Sequence, residues 1–590
     1  MNQAYGVVAV TSVVVASGLI GALGLRISRT TSDFYVASRS VPPRLNAAAI
    51  SGEYLSAASF LGIAGLVLSQ GVDMLWVPVG YTAGYLVLLA LVAAPLRRSG
   101  AYTLPDFAEA RLESTVVRRI TSILVVVVGW LYLVPQLQGA GLTLGLVTGA
   151  PGWTGALIVA VVVALSVAAG GMRSITFVQA FQYWLKLTAL LVPALFLLLA
   201  WQGDPSARTA LDQPPAFRDH TRVRVDDTVR VRVHEQLRVS VDGRAHQAAV
   251  LLLQPGVHRV DTGTTLHFPV RARVAGRSED TTAPARGSRG SDASPREDKG
   301  HSLYATYGLI LATFLGTMGL PHVVVRFYTS PDGRAARRTT VVVLGLVGAF
   351  YLLPPLYGVL GRIYTPELLL TGNTDAVVLL LPERLIGGVA GDLLGALVAA
   401  GACAAFLSTA SGLTMAVAGV LSQDVLPSPR TGHFRLASLI AVAVPLAVYT
   451  LVPGIPVAKA VGLAFAVSAS SFCPLLVLGI WWRGLTAAGA SAGLLTGGGA
   501  ALTAVALTMT ESVGTGWPRT LSAWPAVWSV PLAFLTMILV SLADRRGAPL
   551  HTDAIMARLH LPEPPANHSP AARGRRLTTD EDPTAGSPTP

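Results

Sequence analysis

The chain has 590 residues, 52% of them hydrophobic and only 13% charged, with a mean hydropathy of +0.56. Soluble domains carry roughly 25% charged residues, so the polar surface is too small to keep so long an apolar chain dissolved. Two cysteines, Cys403 and Cys473, cannot make the framework of a disulfide-rich secreted protein. The net charge of +12 sits largely on arginines in short loops beside apolar runs, which is the pattern of cytoplasmic membrane-protein loops rather than of a nucleic-acid-binding face.

A helix needs about 20 mostly apolar residues to cross about 30 Å of hydrocarbon. Thirteen runs, numbered here spans 1–13, meet that need, within 5–25, 44–70, 73–96, 119–149, 153–172, 177–201, 303–325, 338–361, 386–424, 435–452, 457–481, 486–509 and 523–543. Span 1 has no positive n-region and ends in Arg26 and Arg29 without a small-residue cleavage site, so it reads as a retained span rather than a signal peptide. Arginines follow the odd-numbered spans: Arg26 and Arg29, Arg97 and Arg98, Arg173, Arg326 and Arg334, Arg430, Arg483, then Arg545 and Arg546. Positive charge stays inside, which puts the N-terminus outside and the C-terminus in the cytoplasm of a multi-pass cell-membrane protein.

Residues 1–43 form the first span and its loop, and 44–201 a first group of five spans. Within span 2 the stretch Ala47-Ala48-Ala49-Ile50-Ser51-Gly52-Glu53-Tyr54 sets a glycine beside an ionisable glutamate in an apolar run. Such a charge is a functional candidate by default: Glu53 takes up a coupling proton or organises the cavity, or it is a buried carboxylate satisfied by hydroxyls. Lys186 in span 6 reads as structural or snorkelling.

Residues 202–302 face outward and interrupt the membrane pattern. Arg222-Val223-Arg224-Val225, Val229-Arg230-Val231-Arg232-Val233 and Leu237-Arg238-Val239-Ser240-Val241 alternate with period two, and Asp242-Gly243 offers a hairpin turn. A small β module over about 215–275, followed by a flexible tether over 276–300, is expected.

A second group of five spans occupies 303–482 and opens with Gly316-Thr317-Met318-Gly319-Leu320-Pro321-His322, where two glycines and a proline oppose a continuous helix. His322 reads as a packed polar residue or a ligand. Five is odd, so the two groups lie inverted in the membrane, each beginning with a broken helix. Paired discontinuous helices in inverted repeats point to a transport site, here formed by Ser51, Gly52, Glu53, Tyr54, Gly316, Thr317, Gly319 and Pro321. In span 9, Ser408 and Thr409 supply neutral oxygens of the kind a hard cation wants, or they bond between helices. Two further spans fill 483–543, and the polar, Pro-rich 544–590 reads as a disordered cytoplasmic tail. No Walker A sequence, CxxC pair or His-Glu metal cluster occurs, so no catalytic set, resident cofactor or primary pump is expected.

Several stretches resemble the sodium:solute symporter family. They are Asp33-Phe34-Tyr35-Val36-Ala37-Ser38-Arg39, Ile50 through Gly62, Thr103-Leu104-Pro105-Asp106-Phe107, Gly170-Gly171-Met172-Arg173, and Gly316 through His322 running into Arg326-Phe327-Tyr328. The last is similar to the acetate and monocarboxylate branch. The resemblance implies an all-α, LeuT-type bundle of inverted five-helix repeats. It also implies a Na+ site made by carbonyls of Ala47, Ile50 and Ala405 with the hydroxyls of Ser408 and Thr409. Gly52-Glu53-Tyr54 departs from the Gly-Asp-Tyr often found in that branch, which leaves proton coupling through the carboxylate open. The function implied is symport of a small monocarboxylate with Na+ or H+. The alternatives are another small solute, such as proline or a sugar, and a transporter-like sensor.

Overall fold

The structure is a computed structural model that describes residues 3–25, 36–210, 215–225, 229–233, 236–243, 246–270, 272–273, 276–277, 295–425, 431–451, 457–510, 512–513, 516–544 and 551–562. Among these, ten helices are long and apolar enough to cross a membrane, and two bent helix pairs pass the same test. One of the ten, Gly152–Gln202, has 51 residues, about 76 Å at 1.5 Å per residue. It turns back at Gly171, whose φ of 57° and ψ of −165° suit glycine, and so makes two passes, spans 5 and 6. Ten helices and two bent pairs make twelve candidate spans among the described residues, and thirteen with this kinked helix counted as two.

The bent pairs are spans 2 and 7. Span 2 runs Pro43–Tyr54, stops, and resumes over Ala58–Gln70 at an angle of 70°. Span 7 runs Leu303–Gly319 and Pro321–Phe327 at 41°. Pro321 lacks an amide hydrogen and holds Leu320 extended (φ −62°, ψ 118°), which ends the first half and starts the second. The first half of span 2 packs on span 6, and span 7 packs on span 11, Val457–Trp481. Each repeat thus sets its opening broken helix against its fifth helix. Spans 4 (Thr115–Thr148) and 9 (Gly388–Val420) close the centre.

The loops that follow odd-numbered spans meet on one side. Arg97, after span 3, donates to the Ser330 carbonyl and to Pro331 O at 2.5 Å, beyond span 7. Thr103 and Asp106 form a capping box that starts the helix Leu104–Leu112. That helix carries the buried Arg111 to the end of span 11, where it donates to Gly479 O (2.8 Å) and Trp482 O (3.1 Å), carbonyls a helix end leaves free. Part of the polar tail is ordered there as well. The helix Thr552–His560 buries Met556 and Leu559, and Arg98 donates to its last carbonyls, Leu559 O (3.3 Å) and His560 O (3.2 Å). The rest of the tail, from 563, lies outside the described residues, as do 26–35 with the start of the Asp33-Phe34-Tyr35 motif, and Arg430, Arg545 and Arg546.

On the opposite side the insertion forms two small antiparallel sheets. One has the order β1 (Thr221–Arg224), β6 (Thr265–Phe268), β3 (Leu237–Gly243), β4 (His246–Leu253); the other is β5 (Gly256–Val260), β2 (Val229–Val233), β7 (Gly276–Arg277). Strands β3 and β4 pair as a hairpin whose last partners are Gly243 and His246. Val223, Val225, Val231 and Val233, the apolar half of the alternation, turn inward with Phe217, Leu266 and Phe268. Leu370, from the segment between spans 8 and 9, completes that core. Asp204 anchors the same face, pairing with Arg218 at 2.6 Å and accepting from Tyr364 at 3.0 Å; Arg218 and Ser206 hold its carboxyl below the usual carboxylate range. The expected tether over 276–300 falls largely outside the described residues.

Candidate functional site

A break in a membrane helix frees backbone groups that no water can satisfy, so protein must. In span 2 several of them are served by spans 4, 6 and 9. The Ala57 amide donates to Gln136 Oε1 of span 4 at 3.0 Å. Thr409 Oγ1 of span 9 donates to Glu53 O at 2.6 Å, and Ser408 Oγ lies 2.7 Å from Gly52 O and 3.1 Å from Ala405 O. Lys186 of span 6 reaches in from the third side. It donates to the Gly52 carbonyl, to Leu55 O at 2.8 Å and to Ser408 Oγ at 2.5 Å. It is fully buried, so it does not snorkel.

Glu53 has a partner that the sequence reading lacked. Arg326, counted there among loop charges, lies inside the second half of span 7 with no exposed surface, and its Nε donates to Glu53 Oε2 at 2.5 Å. Its Nη1 donates to Thr176 Oγ1 (2.9 Å) and its Nη2 to Gln179 Oε1, both on the helix of span 6. Asn46 Nδ2 donates to the Arg326 carbonyl at 3.3 Å. The two broken helices are therefore joined by a buried ion pair. Gly412 makes room for it, since a Cβ there would overlap the Glu53 carboxyl group.

The other candidates divide by what they touch. Thr317 Oγ1 and Tyr54 Oη are 2.8 Å apart, a second link between the breaks. Tyr54 stands at the middle of rings, with Tyr85 at 4.7 Å, Tyr81 at 6.0 Å and Phe465 at 6.4 Å between centroids. Tyr132 packs on His322 at 5.3 Å. Gly316 and Gly319 lie against span 11: a Cβ on either would meet Phe465 or Phe472 and Ser468, and Ser468 Oγ donates to Gly316 O at 3.0 Å. Pro321 is buried at the start of the second half-helix. Ser51 Oγ, Tyr85 Oη and both His322 ring nitrogens are buried with no hydrogen-bond partner among the described residues, so capacity for a polar ligand remains at this centre.

Ala47 and Ile50 stand apart. Both lie within the unbroken helix Pro43–Tyr54, where carbonyls are spent on amides four residues on. The carbonyls facing Ser408 and Thr409 are those of Gly52, Glu53 and Leu55, further along the chain.

The contribution of span 9 is testable. Thr409→Ala removes the donor to Glu53 O and leaves a buried carbonyl unpaired, a loss of about 1–3 kcal/mol. Thermal unfolding in detergent should show it, while Thr409→Ser, which keeps the hydroxyl, should unfold like the parent.

Inverted repeats closing on paired broken helices define a secondary transporter. The chain belongs to the sodium:solute symporter family, whose profile matches residues 34–244 and 291–497. It is 30% identical to an uncharacterized symporter of Cupriavidus necator, over 89% of this chain and 90% of that one. It is 28% identical to the uncharacterized symporter YwcA of Bacillus subtilis, over 86% and 88%. Among solved structures it is similar in fold to a Na+-coupled sialic acid symporter in a substrate-bound outward-open state, at 13% identity with a TM-score of 0.60, covering 91% of this chain and 98% of that chain. The protein is thus a cation-coupled symporter embedded in the membrane.

Proposed function

We propose that the chain imports a small monocarboxylate, acetate-like in size, together with a coupling cation, Na+ or H+, across the cell membrane, with its N-terminus outside. The observation that carries this reading is the charge about the breaks. Two basic side chains, Lys186 and Arg326, are buried there beside one acidic side chain, Glu53. An unbalanced buried charge is costly unless paired, and a monoanion supplies the missing partner. Tyr54, Tyr81, Tyr85, Tyr132 and Phe465 pack ring on ring beside the breaks, and such crowding favours a solute of few atoms over a sugar. Ser51, Tyr85 and His322 retain polar atoms for its oxygens.

Uptake by the purified protein in proteoliposomes tests the reading. Labelled acetate should accumulate under an inward cation gradient and be displaced by propionate, but not by proline or glucose. Accumulation of proline or glucose with acetate inert would overturn it.

A further inference from the structure

Membership in a sodium-coupled family makes a Na+ site the expectation, and this fold gathers oxygens for a cation in one place. The Gly52 and Leu55 carbonyls face the Ser408 hydroxyl, with Ala405 O behind it and Thr409 alongside. In this chain the side-chain nitrogen of Lys186 already stands there. An ammonium has three N–H donors and no acceptor, and the three of Lys186 have three partners: Gly52 O, Leu55 O and Ser408 Oγ. A Na+ would have to take the same oxygens, at contact distance from a like charge, in a site with no exposed surface.

The surroundings hold the ammonium in place. Gln179, about two helical turns back on span 6, donates to Ser408 O at 2.8 Å and so fixes spans 6 and 9 together. Gly52 lets span 2 approach Gln179 more closely than any side chain would. The Glu53 carboxylate turns away to Arg326. Span 9 meets the Lys186 nitrogen through the Ser408 hydroxyl.

We propose that the cation cradle of this symporter is filled by the tethered ammonium of Lys186 and takes up no Na+. The residues expected to hold the ion, Ser408 and Thr409, instead hold the lysine and the break. The proposal rests on the symporter reading only for its consequence, that uptake needs no Na+.

Binding of radioactive sodium to the purified, substrate-free protein tests this without reference to the solute. The wild type should bind no sodium that Ser408→Ala with Thr409→Ala removes. Lys186→Met and Lys186→Gln, checked for folding by size-exclusion fluorescence, should gain a sodium site, and the two alanine changes should abolish that gain. Sodium bound by the wild type and lost on changing Ser408 and Thr409 would overturn the proposal, as would folded Lys186 variants that gain none. If neither Lys186 variant folds, the wild-type comparison alone decides. In proteoliposomes, uptake from choline and sodium media should be equal; a solute other than a monocarboxylate would change the substrate assignment and leave the sodium result as it stands.

Discussion

Replacing Arg326 with methionine is expected to destabilise the folded protein by about 3–5 kcal/mol, the cost of leaving one member of a buried ion pair without its partner. Glu53 and Arg326 are each about 1% exposed, and the pair joins spans 2 and 7 across the centre of the molecule. The guanidinium also serves Thr176 and Gln179, so its removal strips donors from span 6 as well. Neutralising both partners avoids the uncompensated charge. Glu53→Gln with Arg326→Met should therefore recover much of the loss, giving a large favourable coupling in a double-mutant cycle. Thermal unfolding in detergent is the measurement. Equal stability of the single Arg326 variant and the double variant would mean that the pair does not carry charge in the folded state.

This pair changes what Glu53 can do. Protonating the carboxylate would leave the Arg326 guanidinium without its counter-charge in a buried site. The ion pair therefore favours the organising role left open for Glu53 over that of a proton carrier.

Why the passes were legible and these two residues were not comes down to range. A span is written in some 20 consecutive apolar residues, and the break of span 7 in the local incompatibility of Pro321 with the residue before it. Arg326 follows Pro321 by less than two helical turns and adjoins the expected loop, so a rule that counts arginines near span ends takes it for a loop charge. Its burial depends on Glu53, 273 positions away in sequence. A signal for Lys186 did exist. Thr176, Gln179, Tyr183 and Lys186 recur at helical spacing in an otherwise apolar span, a polar stripe that has to face something polar. The pair Ala47 and Ile50 lies inside the helix Pro43–Tyr54 rather than at its end. Gly52 and Leu55 keep the same spacing, but the helix continues through Tyr54, and only the end of the helix decides which carbonyls are released.

Gly52→Ala is expected to be the most damaging small-to-larger change in the first repeat. A Cβ built on Gly52 falls on the Gln179 carbonyl oxygen and lies 3.3 Å from Tyr183 Cβ. A backbone atom in the middle of a helix cannot rotate aside, so spans 2 and 6 must separate. Overpacking of this kind costs roughly 1–3 kcal/mol. Here the displaced helix also carries Lys186, whose hydrogen bonds to Gly52 O and Leu55 O depend on the same close approach. Loss of transport should therefore exceed loss of folded protein. Gly345→Ala in span 8 is the control, because a Cβ there meets nothing within 4 Å and alanine favours a helix over glycine by about 1 kcal/mol. Thermal unfolding should place Gly52→Ala well below the parent and Gly345→Ala at or above it. If the two variants unfold together, the contact between spans 2 and 6 is looser than the geometry at Gln179 requires.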